Sequence, residues 1–292
     1  MSLRVAIFLA FLSCCRASVL PSTVAAPRGP ITCVAEDPEF ERLVVGGLGN
    51  QGEVISEHEQ ALFHEAGVWL PETGEWLFTS NRLDDNGPRI KVHVLHAKSR
   101  TLTECDEVQA AVVMANGGTS DGAGGVLLCS QGMGEVGGAI YRVSPTRCSA
   151  APLVEARFNS PNDVVLHRPT GAILFTDPSY GVEQGFRSAR HHEHEALWCF
   201  VPAAEGAEAP PPVHCLDRNF VKPNGLCLSP DGATLYVTDS GYFDGYGGAD
   251  RRVEASHALL PCRLPPVGLP PPSFFASPPV AGRGLARSTR TI

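Results

Sequence analysis

The 292-residue sequence predicts an all-β fold of the propeller type, and three observations carry that expectation. Ser160–Asp177 and Lys222–Asp239 follow one plan: Pro161 matches Pro223, Asn162 matches Asn224, Gly171 matches Gly232, and Thr176-Asp177 matches Thr238-Asp239. Asn162 to Asn224 is 62 positions and Asp177 to Asp239 is 62 positions, a fixed period of the kind that marks a repeat architecture. Phe63–Ser80 repeats the same strand–turn–strand pattern a third time. Hairpins of this kind stacked radially make blades around a central channel, so corner residues that recur once per blade converge on its axis.

Within each copy the elements follow from local chemistry. Val164 and Leu166, and Leu226 and Leu228, alternate with other residues at the period of two expected of a strand. The turns are Pro71–Gly74, Pro169–Gly171 and Pro230–Gly232, where Pro presets φ and Gly takes the positive φ. Ile173–Phe175 and Leu235–Val237 form the returning strands, with Leu77–Thr79 as their counterpart in the first copy. Ile90–His96, Gly124–Cys129, Ala139–Val143 and Ala196–Val201 read as further strands. Residues 183–195 are a charged excursion between blades, and 203–212 a low-complexity loop.

Outside residues 36–250 the character changes. Residues 1–18 read as a signal peptide, with Arg4, the apolar run Val5–Leu12, and Ala17-Ser18 at the cleavage end, so a secreted, extracellular chain is expected. Residues 19–35 form a loose Pro/Ala-rich lead, and 251–292 a proline-rich tail without the repeat, expected to be disordered. No other segment is long and apolar enough to span a bilayer. A net charge of −8 with no basic run disfavours nucleic acid as a partner. Beyond the signal, eight cysteines remain, none in a C-x-x-C pair, which excludes a zinc ribbon; Cys129 and Cys227 read as buried thiols within strands.

The passages Arg157–Val165, Phe175–Gly181 and Lys222–Asp239 resemble the SMP-30/gluconolactonase family, and its secreted fungal lactonase-like branch in particular. That resemblance implies a six-bladed β-propeller with a divalent metal on its axis, usually Ca2+, with Zn2+ or Mn2+ as alternatives. It also implies a small-molecule lactone or ester as substrate. The resemblance covers roughly residues 36–250, which at about 40–45 residues per blade holds about four blades, so the propeller is expected to be incomplete.

By the same resemblance, the ligands of such a metal are Glu65, Asn162 and Asn224. The family's last ligand, a late Asp in a Pro-Asp-Gly passage, has no counterpart here. Oxygen-only donors of mixed charge suit a hard cation, and neutral amide carbonyls leave it under-compensated and useful as a Lewis acid. Two readings therefore stay open: a metal-dependent lactone hydrolase, and a non-catalytic or degenerate propeller that binds without turnover.

Other signals are weighed against plainer ones. Asn116 reads equally as a channel-lining residue and as a turn former, while Asp177 and Asp239 read as structural acceptors for neighbouring turns. The matches Gly47–Gly52 and Gly132–Gly137 to G-x-G-x-x-G are weak signals, since a dinucleotide site needs a helix after the glycines and the second runs instead into the strand Ala139–Val143. His191, His192 and His194 with Glu193 and Glu195 could hold a transition metal but read more plainly as a solvated loop. No G-x-S-x-G elbow exists.

Overall fold

The computed structural model describes residues 60–203 and 210–242, together with positions 31–32, 51–52, 56, 58, 259–263 and 290–291. The signal-peptide reading of residues 1–18 lies outside the described residues. Ile31–Thr32 (β1) and Gln51–Gly52 (β2) pair as a short antiparallel ribbon.

The remaining strands form four sheets of four strands each. The first holds Glu65–Leu70 (β3), Glu75–Thr79 (β4), Val92–His96 (β5) and Thr101–Glu104 (β6). The helix Asp106–Ala111 (α1) then leads to Ala115–Ser120 (β7), Val126–Ser130 (β8), Gly138–Ser144 (β9) and Ser149–Phe158 (β10). The third sheet is Val164–His167 (β11), Ala172–Asp177 (β12), Ala196–Phe200 (β13) and Val213–Asp217 (β14), with the short helix Tyr180–Glu183 (α2) between β12 and β13. The fourth is Pro223–Leu228 (β15), Thr234–Asp239 (β16), Leu259–Arg263 (β17) and Arg290–Thr291 (β18). Strand order within every sheet follows the chain, and the pairings are antiparallel except β17 with β18. This is the all-β propeller architecture that the repeat predicts, with four blades among the described residues. Two short strands, β17 and β18, lie within residues 251–292, with β17 paired to β16 and β18 to β17; the rest of that tail lies outside the described residues.

The second and third blades are buried on both faces because each is sandwiched between two neighbours, and the period-two pattern divides their side chains between two cores. Leu77 and Val94 meet Val126 and Leu128 between the first and second sheets, while Leu127, Cys129 and Ile140 face Ile173 and Phe175 of the third. Leu174 and Leu197 then pack on Leu235 and Val237 of the fourth. Trp69 and Trp76 pair across the β3–β4 hairpin with ring centroids 5.1 Å apart, so they pack on one another. The turn glycines behave as their chemistry requires: Gly74, Gly171 and Gly232 have φ of +69°, +70° and +72°. Cys129 is buried as expected, but Cys227 is exposed, because β15 sends it to the side opposite Leu226 and Leu228, which join the core.

The innermost strands β3, β7, β11 and β15 are first in each sheet and pack on one another in that order around the axis. Their approach is close enough to need glycine. A Cβ on Gly117 would lie 2.6 Å from the Asn162 carbonyl oxygen and 2.7 Å from Asp163 Oδ1. Gly117→Ala is therefore expected to destabilise the fold by about 1–3 kcal/mol through overpacking between the second and third blades. Urea unfolding measures this; a loss below about 0.5 kcal/mol would show that the blades can part to admit a methyl group.

Candidate metal centre

The expected ligands all sit where an inner strand begins. Glu65 opens β3 and pairs with Thr79; Asn162 lies two residues before β11 and its N–H donates to the Thr176 carbonyl; Asn224 is the second residue of β15. Asn116 holds the corresponding second position in β7. Register shifts fall at three of these corners, between Glu65 and Val68, Ala115 and Gly118, and Pro223 and Leu226. A bulge of this kind re-aims the side chain at the start of a strand, and Ala66 there takes a φ of +51°.

Direct hydrogen bonds stitch the corners together across the blades. Thr79 Oγ1 donates to the Asn116 carbonyl at 3.2 Å, the Gly117 N–H to the Asn162 carbonyl at 2.8 Å, and Thr176 Oγ1 to the Asn224 carbonyl at 2.7 Å. Asp163 accepts the N–H of its neighbour Val164 and, at 2.7 Å, the N–H of Leu226 in the next blade. Asn224 Nδ2 donates to Tyr180 Oη at 3.3 Å and Ser240 Oγ at 3.4 Å, which fixes the plane of its amide.

The electrostatics of these corners are those of a site short of positive charge. Burial first, and then the charge of Asp163, push Glu65 up to about 8. Burial also lifts Asp163 to about 6, against the two N–H groups that pull it down. Asn116 and Asn162 are 8% and 4% exposed, and the side-chain oxygen of each is buried with no hydrogen-bond partner. Buried carbonyl oxygens are ordinarily paired, and leaving one bare costs about 1–3 kcal/mol.

A family model described as the SMP-30/Gluconolactonase/LRE-like region matches residues 63–245, a stretch that contains all of these corners. The chain belongs to the SMP-30/gluconolactonase/LRE-like family. A gluconolactonase of Zymomonas mobilis subsp. mobilis is 32% identical over 107 residues, which are 35% of this chain and 28% of that protein. Among solved structures, a calcium-binding regucalcin from Agrobacterium tumefaciens overlays at a TM-score of 0.42 and 21% identity, covering 65% of this chain and 54% of that one. TolB from Acinetobacter baumannii overlays at 0.45 and 12% identity, covering 68% and 45%. The chain thus spans about half or less of the length of these relatives.

Within this SMP-30-type frame the other sequence signals resolve as well. Asp177 accepts the N–H groups of Asn159 and Ser160 at 2.9 and 2.7 Å, and Asp239 those of Val221 and Lys222 at 2.8 and 2.7 Å, so both are the structural acceptors expected. Each ties down the segment that delivers the following Pro-Asn corner. Gly132–Gly137 runs into the strand β9, with no helix to hold a phosphate. The N–H groups of His191 and His192 donate to Asn159 Oδ1, and no cluster of three or more His, Cys, Asp or Glu residues suited to a metal occurs among the described residues. Sequence reasoning missed Asp163, whose only signal is its place directly after Asn162. It also missed the buried ion-pair group in which Lys222 Nζ contacts Ser179 Oγ at 2.8 Å, Glu195 Oε1 at 3.0 Å, and Glu183.

Proposed function

We propose that this chain holds a divalent cation, Ca2+ by the chemistry of its donors, at Glu65, Asn162 and Asn224, and hydrolyses lactones or related esters there. The observation that carries this reading is the bare, buried Oδ1 of Asn162, next in sequence to Asp163, whose charge helps burial to push the Glu65 carboxyl up. A hard cation supported by amide carbonyls and a carboxylate satisfies both at once, since it fills the oxygen's lone pair and stabilises the charged form of the acid. The family membership and the gluconolactonase relative support lactones as the substrate class.

An ion so held supplies Lewis acidity to an ester carbonyl and to the negative charge that develops on its oxygen. The chain's own residues do the positioning. Thr176 holds the backbone of Asn224, while Tyr180 and Ser240 hold its Nδ2 and leave Oδ1 as the free end of the amide. Asp163 ties the Asn162 corner to Leu226, two residues from Asn224, so the spacing of the two amides is set by a hydrogen bond between blades. Glu65 contributes the single negative charge of the set. Water adds across the acyl C–O bond, opening the ring to a hydroxy acid and releasing a proton at neutral pH.

That proton makes the test direct. In a pH-stat with D-glucono-1,5-lactone the full chain should consume base well above the spontaneous rate in Ca2+, fall to background in a chelator, and recover when Ca2+ is restored. No turnover above background in Ca2+, with unfolding still raised by the ion, would sink the hydrolase reading in favour of an ion held only for structure.

A further inference from the structure

We infer that Asn116 supplies a fourth oxygen to the same ion, so that each of the four inner strands contributes one donor. This rests on the metal reading above and extends it to a residue whose sequence allows a turn role equally well.

The first ground is structural equivalence with Asn224. Asn116 is the second residue of β7 and Asn224 the second of β15, each is followed by glycine, and each lies inside a register shift of its strand. Each also has its backbone carbonyl held by a buried or partly buried bond from a threonine at the end of the preceding blade's second strand: Thr79 for Asn116 and Thr176 for Asn224. Thr79 and Thr176 are both fully buried, so these are fixed parts of the frame. What places Asn224 at the axis places Asn116 there too.

The second ground is the side chain itself. Asn116 Oδ1 is buried without a partner, and it belongs to the corner whose next residue, Gly117, donates its N–H to the carbonyl of Asn162. Two bare amide oxygens thus lie on adjacent, directly bonded corners. A turn-forming Asn would bond its side chain to nearby backbone, whereas this one lies within a strand. A single cation relieves both oxygens, and one carboxylate with three neutral carbonyls leaves a divalent ion with net positive charge.

Calorimetric titration of Ca2+ into the metal-free full chain, without substrate, tests this alongside unfolding in chelator as a check on the fold. Asn116→Ala should weaken Ca2+ binding tenfold or more. Asn116→Asp keeps an oxygen in place, adds charge, and should bind Ca2+ at least as tightly as wild type, which decides the matter even if the alanine variant fails to fold. Wild-type affinity in Asn116→Ala, or weakened binding in Asn116→Asp, overturns the assignment. If Glu65→Gln and Asn162→Ala lose Ca2+ while Asn116→Ala keeps it, only this inference fails; if wild type binds no Ca2+, it fails together with the metal reading.

Discussion

Replacing Glu65 with glutamine should abolish Ca2+-dependent lactone hydrolysis, lowering the rate by about 100-fold or more, while leaving the chain folded. Glu65 is the one charged member of the proposed ligand set, and the substitution keeps its size and an oxygen. The fold has no stake in that charge: burial and Asp163 both disfavour it, and no basic side chain other than His64, at 3.9 Å, is paired with it among the described residues. Burial pulls His64 below the usual histidine range, so it is neutral at pH 7 and gives Glu65 no counter-charge. The loss should therefore appear in Ca2+ affinity and in rate together, with unfolding in chelator unchanged or slightly harder. Full activity in Glu65→Gln would remove the carboxylate from the mechanism. Activity lost together with the folded signal would mean that Glu65 serves the first blade and not the ion.

How far the sequence reveals these features depends on whether they are local. The hairpins β11–β12 and β15–β16 are legible because alternating apolar residues, a Pro-x-Gly turn and a closing Thr-Asp all occur within eighteen residues and recur 62 positions later. The strand β7 is not, because Ala-Asn-Gly-Gly-Thr-Ser has the composition of a turn. Its glycines answer to contacts distant in sequence: Gly117 lies against Asn162 and Asp163, and Gly118 against Leu127, Leu128 and Ala66. Tertiary approach overrides propensity there, as it does where glycine lets two backbones close up. The edge strand β10 is hidden for a related reason, since Pro152 lies at a register shift that an interior strand would not tolerate. The candidate ligands at Asn162 and Asn224 come with the repeat, and Glu65 comes only with the family resemblance. Asn116 needed the blade-to-blade bonds, because nothing in its own neighbourhood separates a channel residue from a turn.

Removing the carboxylate of Asp177 should cost the fold about 3 kcal/mol or more, the largest stability loss expected from a single polar position. Asp177 is fully buried at the end of β12 and accepts the N–H groups of Asn159 and Ser160, which in Asp177→Ala are left in the interior without an acceptor. Asp177→Asn keeps one acceptor but turns an N–H toward the other donor, so it should recover little. Burial pushes Asp177 up to about 7, only partly offset by those two bonds. Its folded pKa therefore lies above its unfolded value near 4, so the linked stability is fully present below about pH 4 and is lost as the pH rises through about 7. Urea unfolding of wild type and Asp177→Ala across that window should show the difference between them shrinking as the pH climbs. A difference below 1 kcal/mol at pH 5, or one that grows toward pH 8, would contradict this account. The effect bears on function as well. Asn159 and Ser160 lead directly through Pro161 into Asn162, so a loosened Asp177 corner should also weaken Ca2+ binding. Asp239 holds the approach to Asn224 in the same way, and its removal should weaken the ion from the opposite side of the same pair of amides.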